Sequence, residues 1–372
     1  MRRFLAVLTL VTSILTSSAH KGEQYILSRV DEKVGMSHSA VLSLFQDSSG
    51  LIWFGTYDGL NCYDGRKMTV FRADDPKAAG LTNNVIGSVC QADDNCIWCA
   101  TDYTLNKLST SYYTSEVYQF TEDYSVYSND AGNTWLISKD SLYYYNTFSK
   151  KFIGAAYGVN EARSQKAYVS PSGEFWQFKE DSGRIRIFSV SSFSADPNQV
   201  KSSSRYYDFH TKGVKEVFCQ DGIVCFIDVD DDLYVYDSDN HSKLYIRNLS
   251  PLIERYGDIT GIIPFYEDIY VGFVSNGLIR LCSSQKYMAE EINKDIRIYG
   301  LYKDNEQGIL WVATDGQGAV SYTRRNDIAT SLLLNQISPG LSRQVRSLMT
   351  DDKENLWIGT KGDGLVRLPS YR

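Results

Sequence analysis

The feature that most constrains this chain is a tryptophan that recurs in one local setting at intervals of roughly 40 residues. The setting is a short apolar run that ends in a small residue and a threonine, as in Leu51–Thr56 and Leu356–Thr360. Such runs favour β-strands, and the Asp, Gly and Ser residues around them favour turns. The six tryptophans are Trp53, Trp98, Trp135, Trp176, Trp311 and Trp357.

The gap between Trp176 and Trp311 holds two further copies, in which Val224–Ile227 and Ile269–Phe273 replace the tryptophan strand. A lone hairpin is only marginally stable in water, so each copy needs neighbours of the same kind. A repeat of strands and turns without helical periodicity indicates an all-β fold, a β-propeller whose repeats are four-stranded antiparallel blades. We expect the small residue after the tryptophan, such as Gly55, to leave room where blades approach each other. An antiparallel solenoid is the alternative.

The repeat resembles that of two-component regulator propellers. The order Asp-x-x-Gly-x-x-Trp-x-Gly-Thr-x-x-Gly-Leu-x-x-Tyr-Asp is nearly intact at Asp47–Asp64, Asp304–Tyr322 and Asp351–Leu368, and looser at Asp93–Leu108. The lead-in Gly35–Val41 is similar to the Gly-Leu-Ser-x-x-x-Val that opens the family's repeat. Several copies in register make the resemblance specific, and it extends over nearly the whole mature chain.

The resemblance implies the periplasmic sensor region of a hybrid two-component system of Bacteroides-type bacteria. It implies that the chain binds a glycan or oligosaccharide and that the kinase, receiver and DNA-binding parts would lie beyond Arg372. We also expect a homodimer through that missing C-terminal part. A propeller enzyme acting on polysaccharide, either a glycosidase or a lyase, is one alternative function. A protein-binding scaffold is another.

Residues 1–19 have the pattern of a secretory signal peptide. Arginines follow Met1, an apolar run extends from Phe4 to Leu15, and Ser17-Ser-Ala19 is a small-residue cleavage site. The run is too short to span a bilayer, and no other apolar run approaches the length of a span. We therefore expect export to the periplasm without direct membrane insertion of the mature chain.

The repeats predict a propeller over residues 20–323 and a further propeller repeat over residues 324–372. Family members carry two consecutive seven-bladed rings, so the resemblance favours seven blades, with Gln24–Arg29 as the outer strand of the last blade beside Ile309–Tyr322. Residues 324–372 would then begin a second propeller. The alternative is an eight-bladed ring in which Val345–Leu368 closes on the N-terminal strand, which leaves no exposed strand edge.

The net charge of −7 argues against nucleic acid and against an anionic membrane surface as partners. Seven cysteines are an odd number, so at least one lacks an intrachain disulfide partner. Neighbouring strands could bring Cys90 to Cys99, or Cys219 to Cys225. No histidine lies at metal-ligand spacing to a cysteine, and the acidic run Asp228–Asp232 lacks the glycine and closing glutamate of an EF-hand loop. We expect no metal and no other cofactor.

Enzyme motifs do not rise above background in this sequence. It has no Gly-x-Ser-x-Gly nucleophile elbow and no glycine-rich phosphate loop, and the sialidase spacing Asp-x-Gly-x-x-Trp is not the one that recurs. Carboxylates are so numerous that a catalytic pair cannot be judged by counting. We expect the chain not to be an enzyme and to have no catalytic residues.

Candidate ligand-binding residues lie in the turns that follow the second strand of the repeat. Every blade has the same strand order, so these turns emerge on one face of the ring, where tyrosine rings could stack on sugars and carboxylates could accept bonds from their hydroxyls. An Asp in an Asp-Gly turn also serves its own backbone, whereas a turn has no packing need for a large ring. Tyr57 and Tyr103 are therefore the strongest candidates. The predicted set is Tyr57, Asp58, Asp102, Tyr103, Lys139, Asp140, Asp315 and Gln317.

Overall fold

The computed structural model describes residues 25–369, apart from 75–79, 94, 140, 158–166, 179–182, 194–199, 238–241, 276, 325–343, 352 and 354. The predicted signal peptide, residues 1–19, lies outside the described residues. The chain divides into two compact units, one of which is Tyr25–Thr323 while the other includes Arg324–Arg372. No helix among the described residues is long and apolar enough to cross a membrane.

The described part of Tyr25–Thr323 is built from strands that form seven four-stranded sheets. Strand β1 (Tyr25–Val30) comes first. The next twelve strands make sheets 1 to 3: β2 (Val41–Gln46), β3 (Ile52–Thr56), β4 (Gly59–Tyr63), β5 (Met68–Phe71); β6 (Ser88–Asp93), β7 (Cys96–Ala100), β8 (Thr104–Ser109), β9 (Ser115–Gln119); β10 (Tyr124–Ser128), β11 (Thr134–Ser138), β12 (Ser141–Asn146), β13 (Lys151–Tyr157).

Sheets 4 to 6 follow the same order from the ring axis outwards. They are β14 (Ala167–Val169), β15 (Phe175–Phe178), β16 (Arg184–Phe193), β17 (Val200–Asp208); β18 (Val214–Gln220), β19 (Ile223–Asp228), β20 (Asp232–Asp237), β21 (Ser242–Asn248); β22 (Ile259–Phe265), β23 (Asp268–Phe273), β24 (Gly277–Cys282), β25 (Met288–Asn293). Sheet 7 is β26 (Ile298–Asp304), β27 (Ile309–Thr314), β28 (Ala319–Arg324) and β1. One helix, α1 (Ser250–Tyr256), and two 3₁₀ turns, Glu32–Val34 and Ser283–Gln285, lie in the connections.

The second strand of each sheet has a neighbour on both sides, and this position explains the tryptophan repeat. All six tryptophans lie on second strands, as predicted. The strands without tryptophan, β19 and β23, occupy the same position in sheets 5 and 6. Every residue of β3 is buried, and so is every residue of β23. Burial of these large apolar side chains supplies the main stabilising term of the sheets.

Consecutive sheets are joined by apolar clusters that run around the ring. Trp53 of sheet 1 packs with Ile97 of sheet 2, and the cluster that contains Trp311 of sheet 7 includes Phe54 of sheet 1. The Phe54 and Trp311 ring centroids lie 6.0 Å apart in an edge-on arrangement. The last sheet therefore packs against the first, and the predicted all-β propeller of four-stranded antiparallel sheets is confirmed.

The small residue two places after the tryptophan keeps sheets 1 and 2 close. A Cβ on Gly55 would lie 2.5 Å from Ser43 Oγ and 2.6 Å from the carbonyl oxygen of Ile86, which leads into sheet 2. Because these distances are shorter than van der Waals contact, any larger side chain would push the two sheets apart. The sequence-based interpretation of this glycine is correct.

The N-terminal strand closes the ring. Strand β1 lies beside β28 and is the outermost strand of sheet 7, which agrees with the closure predicted from the sequence. The Tyr25 hydroxyl is 2.6 Å from that of Tyr270 and accepts a hydrogen bond from Arg280 Nη1 at 3.1 Å. Both partners belong to sheet 6, so the first described residue of the chain joins sheet 7 to sheet 6.

The other unit contains one three-stranded sheet among its described residues. Its strands are β29 (Val345–Thr350), β30 (Leu356–Thr360) and β31 (Leu365–Leu368). Trp357 lies on the middle strand, as in the repeats of the larger unit. The domain boundaries at residues 20–323 and 324–372, and the assignment of the second segment to a second propeller or a closing blade, stay predictions.

All seven cysteines are free thiols. Cys90 lies opposite Trp98 in the strand register, while Cys99 lies opposite Val89. Cys219 and Cys225 are offset by one position in the same way. An offset of one residue turns the two side chains to opposite faces of a sheet, so neither of the two conceivable disulfides forms.

Candidate functional site

The strand order places one set of turns on one face of the ring. Strands alternate in direction within each sheet, so all turns between second and third strands emerge at the same end as the connections between sheets. We call this end the upper face. The turns between first and second strands lie at the opposite end, the lower face.

The predicted site residues lie on the upper face, in turns of four consecutive sheets. Tyr57 and Asp58 join β3 to β4, and Asp102 and Tyr103 join β7 to β8. Lys139 follows β11 in sheet 3. Asp315 and Gln317 lie between β27 and β28 of sheet 7. Asp140 lies outside the described residues.

Asp315 Oδ2 lies 3.5 Å from Arg297 Nη1, and three further side chains of this set are held by shorter bonds within the protein. Asp58 forms a paired interaction with Arg72, whose Nε and Nη2 donate to Asp58 Oδ2 at 3.1 and 2.8 Å. Lys139 Nζ donates to Glu122 Oε1 at 3.0 Å. Gln317 accepts from Arg29 Nη2 at 2.9 Å and donates to a backbone carbonyl at 2.8 Å. These bonds give the three residues a structural role in ordering their turns.

Tyr57 belongs to a small polar and aromatic cluster at the junction of sheets 7 and 1. Its ring is 48% exposed and lies edge-on to the imidazole of His38, with 5.7 Å between ring centroids. Tyr299, near the upper end of β26, lies between Tyr57 and Asp315. Burial, followed by the adjacent charge of Asp315 and the Tyr57 hydroxyl, raises the pKa of Tyr299. The structure thus brings together two predicted residues that are far apart in the sequence.

A groove of about 610 Å³ lies between the inner strands of sheets 2 and 3 on the same face. Asp102 lines one side of it and Asp123 the other, and both side chains are exposed. The ring of Tyr124 forms part of the wall and stacks on Phe120 with 4.4 Å between ring centroids. Its hydroxyl lies 2.7 and 2.6 Å from two backbone carbonyl oxygens that share its single proton, so the ring is fixed in place.

The groove has the chemical features of a sugar subsite. Carboxylate oxygens accept hydrogen bonds from hydroxyl groups, and a fixed aromatic ring provides a flat apolar surface. Tyr103 is 63% exposed in the turn that also carries Asp102. Among the described residues, Tyr57, Asp102 and Tyr103 therefore remain the predicted residues best suited to contact a ligand.

Sequence reasoning missed the side chains that neighbour the predicted turns. His38 lies in the lead-in to β2, Tyr299 lies on an inner strand, and Asp123, Tyr124 and Tyr127 come from the start of sheet 3. A signal was present, because inner strands and the connections before them end on the same face as the predicted turns. Extending the candidate list to the first two residues of each inner strand would have included Tyr124 and Tyr299.

Residues 35–58 match the family model of the two component regulator propeller. The matched stretch runs from the lead-in glycine through β2 and β3 to Asp58, so it contains both His38 and Tyr57. The resemblance to two-component regulator propellers is confirmed. No curated protein matches this sequence.

Solved structures show the same fold as this chain. The extracellular domain of BT3049 from B. thetaiotaomicron, assigned to a hybrid two-component system, superposes with a TM-score of 0.57 at 19% identity, over 93% of this chain and 48% of that one. The extracellular domain of BT4673 from the same organism gives 0.54 at 18% identity, over 94% and 46%. The chain therefore spans about half the length of these two domains.

A chain of the mitotic checkpoint complex has a similar fold as well, with a TM-score of 0.52 at 12% identity, over 87% of this chain and 99% of that one. Proteins with unrelated roles thus share this architecture. The fold by itself does not define the function, which depends on the residues at the site.

Proposed function

We propose that this chain is a ligand-sensing propeller of an exported two-component-type signalling protein. The matched repeat and the two similar extracellular domains support a sensor module rather than an enzyme. The apolar run near Met1 and the extracellular setting of those domains support export, with the periplasm as the compartment. A homodimer formed through a C-terminal part of the longer protein belongs to the same proposal.

The ligand in this proposal is a glycan or oligosaccharide that binds on the upper face. The observation that carries this proposal is the groove of about 610 Å³, with exposed carboxylates on both sides and a fixed tyrosine ring in its wall. Exposed rings at Tyr57 and Tyr103 extend the aromatic surface beyond the groove. Arg72, Lys139 and Arg297 on this surface are paired with carboxylates of the protein, which suits a neutral sugar with many hydroxyl donors.

Sensing requires that the ligand favours one arrangement of the longer protein over another. A ligand with equal affinity for both arrangements would shift nothing, however tightly it bound. A site formed by turns of several sheets suits this role, because its members can move relative to one another at little cost to the buried strands.

The proposal is tested with the purified mature chain on a panel of immobilised and free glycans. Binding without any change in the glycan is the expected result. Release of shorter or unsaturated products would replace the sensing function with that of a polysaccharide-degrading enzyme. Silence across the panel would instead favour a scaffold that binds protein.

A further inference from the structure

A second cavity lies on the axis of the ring, away from the groove described above. It has a volume of about 600 Å³ and is lined by the inner strands of all seven sheets in the described part of Tyr25–Thr323. Its walls include the apolar side chains of Phe45, Val217, Phe218, Ile262 and Leu301. Its polar end is formed by turns between first and second strands, so it lies towards the lower face.

A smaller cavity of about 230 Å³ adjoins this polar end. Five residues line both cavities: Gln91, Asp130, Gln220, Asp221 and Tyr302. The described residues that line the two cavities include five carboxylates and a single cationic side chain, that of Lys303. The carboxylates are Asp47, Asp130, Asp221, Asp304 and Glu306. This end of the axis therefore has an excess of negative charge.

Three of the charged side chains at this end, those of Asp221, Lys303 and Asp304, are bonded to other groups of the protein. Asp221 Oδ2 accepts from Asn305 Nδ2 at 2.7 Å and lies 3.3 Å from the Nζ of Lys303, whose side chain is only 10% exposed. Asp304 accepts from Gln46 Nε2 at 3.0 Å and from a backbone N–H at 2.9 Å. The one lysine of the cavity is thus already paired.

The position of Lys303 is fixed by a bridge between sheets 5 and 7. Gln220 Nε2 donates to the carbonyl oxygen of Lys303 at 2.7 Å, and its Oε1 accepts from the Lys303 N–H at 3.0 Å. The side chain of Gln220 therefore pairs with the backbone of β26 past the intervening sheet 6. This bridge holds Asp221 and Lys303 together and leaves little freedom for Lys303 to reach another carboxylate.

Asp130 differs from the other carboxylates at the axis. Its side chain has no hydrogen bond or ion pair to any residue that the structure describes, although it lines both cavities. The side chain is exposed to solvent at the mouth of the cavity, yet its partial desolvation, and then the neighbouring charge of Asp221, raises the pKa of Asp130. A positive charge beside these two carboxylates would relieve the repulsion between them.

We propose that the axial cavity binds a small organic cation, with an apolar body against the aliphatic and aromatic walls and an ammonium group beside Asp130 and Asp221. An apolar pocket of this volume with a few convergent polar groups is typical of sites for small molecules. The excess of negative charge at its mouth disfavours anions. The site is separate from the upper-face groove, so it is independent of the glycan proposal.

Isothermal titration calorimetry of the mature chain with phenethylamine tests this site. The neutral analogue 2-phenylethanol has the same body without the charge, and 3-phenylpropionate reverses the charge. We expect the amine to bind about tenfold more tightly than the alcohol, because a charge-assisted hydrogen bond contributes about one order of magnitude. We expect no binding of the carboxylate.

Asp130→Asn is the informative variant, because Asp130 has no described bond to lose and the fold should be retained. Its affinity for the amine should fall about tenfold, while its weak affinity for the alcohol is unchanged. Asp74→Asn removes one exposed carboxylate beyond the outermost strand of sheet 1 and should bind the amine like the wild type. Equal affinities for amine and alcohol, no measurable binding of the amine, or an unchanged Asp130→Asn would each overturn the proposal.

Discussion

The carboxylate of Asp47 accepts a hydrogen bond from the indole Nε1 of Trp53 at 2.7 Å, and Asp351 accepts one from Trp357 at 2.8 Å in the same way. Asp47 is 6% exposed, and its other oxygen accepts from the N–H groups of Ser49 and Leu51 at 2.9 and 3.0 Å. One carboxylate thus fixes the turn and ties it to the buried ring of the next strand. This bond explains the aspartate six residues before the tryptophan in these two copies of the repeat.

Replacing Asp47 with alanine is therefore expected to lower the free energy of unfolding by about 2 to 4 kcal/mol, because a buried indole N–H and two turn N–H groups lose their acceptor. Urea denaturation followed by tryptophan fluorescence measures the change. Asp64→Ala is the matched control, because Asp64 accepts from two N–H groups in an exposed turn but has no buried partner. Losses of equal size in the two variants would contradict the role given to the indole bond.

The sequence was sufficient to predict the parts of the fold that repeat. In Tyr25–Thr323, Trp53 and its counterparts mark the second strands because their position is buried in each of those sheets. Gly55 marks the close approach of the segment that leads into sheet 2. The position of the N-terminal strand came from the resemblance to regulator propellers, whose rings have seven blades, and not from a local pattern.

Convergence between sheets could not be predicted in the same way. Tyr57, Tyr299 and His38 meet because the ring brings sheet 7 beside sheet 1, and no local pattern records that contact. Asp130 begins the stretch Asp130–Trp135, which has the spacing Asp-x-Gly-x-x-Trp. Because that spacing does not recur along the chain, the repeat pattern did not single out Asp130. The groove and the axial cavity depend on the spacing of inner strands, which is a property of the closed ring.

A second prediction concerns acid stability and the pair of Glu174 with Arg205. The two guanidinium nitrogens of Arg205 lie 2.6 and 2.8 Å from the two carboxylate oxygens of Glu174. Burial opposes ionisation of Glu174, but the bonds from Arg205 and Ser189 outweigh it and lower its pKa below the ordinary value of 4.5. A lowered pKa stabilises the fold above pH 4.5, and this contribution is lost as the pH falls through the folded-state pKa.

Glu174→Gln should accordingly reduce the free energy of unfolding by about 1 kcal/mol at pH 7, since the pair is partly exposed to solvent. The difference from wild type should shrink at pH 3.5 and below. Urea denaturation at both pH values measures it. A difference of the same size at pH 7 and at the lower pH would show that the charge of Glu174 contributes nothing.

A third prediction concerns the thiols. Burial raises the pKa of Cys90 to about 12 and, together with the charges of Asp47 and Asp64, that of Cys62 to about 12. Thiolates are the reactive species, so at pH 8 the folded protein should react only slowly with a thiol reagent such as dithionitrobenzoate. Denaturation without reductant should release seven reactive thiols. Fewer than seven would reveal a disulfide, and rapid reaction of the folded protein would show that these strands open readily.

A fourth prediction concerns ring closure by β1. Deletion of residues 25–30 should lower the melting temperature by several degrees and promote aggregation, because β28 would become an exposed edge strand. Thermal melts with static light scattering measure both effects. Tyr25→Phe, which removes only the hydroxyl bonded to Tyr270 and Arg280, should have a much smaller effect on melting and none on aggregation. A deletion variant that melts like the wild type would mean that β1 does not close the ring.

The central claim is that a glycan binds on the upper face of this propeller through exposed tyrosines. The most direct measurement is calorimetry of the strongest-binding glycan against the double variant Tyr57→Ala, Tyr103→Ala, with Tyr112→Ala on the lower face as the control. Tyr112 is 83% exposed, so it matches the exposed character of the other two rings. We predict at least a roughly tenfold loss of affinity for the double variant, with a melting temperature within a few degrees of wild type and no loss for the control. Unchanged affinity in the double variant, or an equal loss in the control, would contradict the claim.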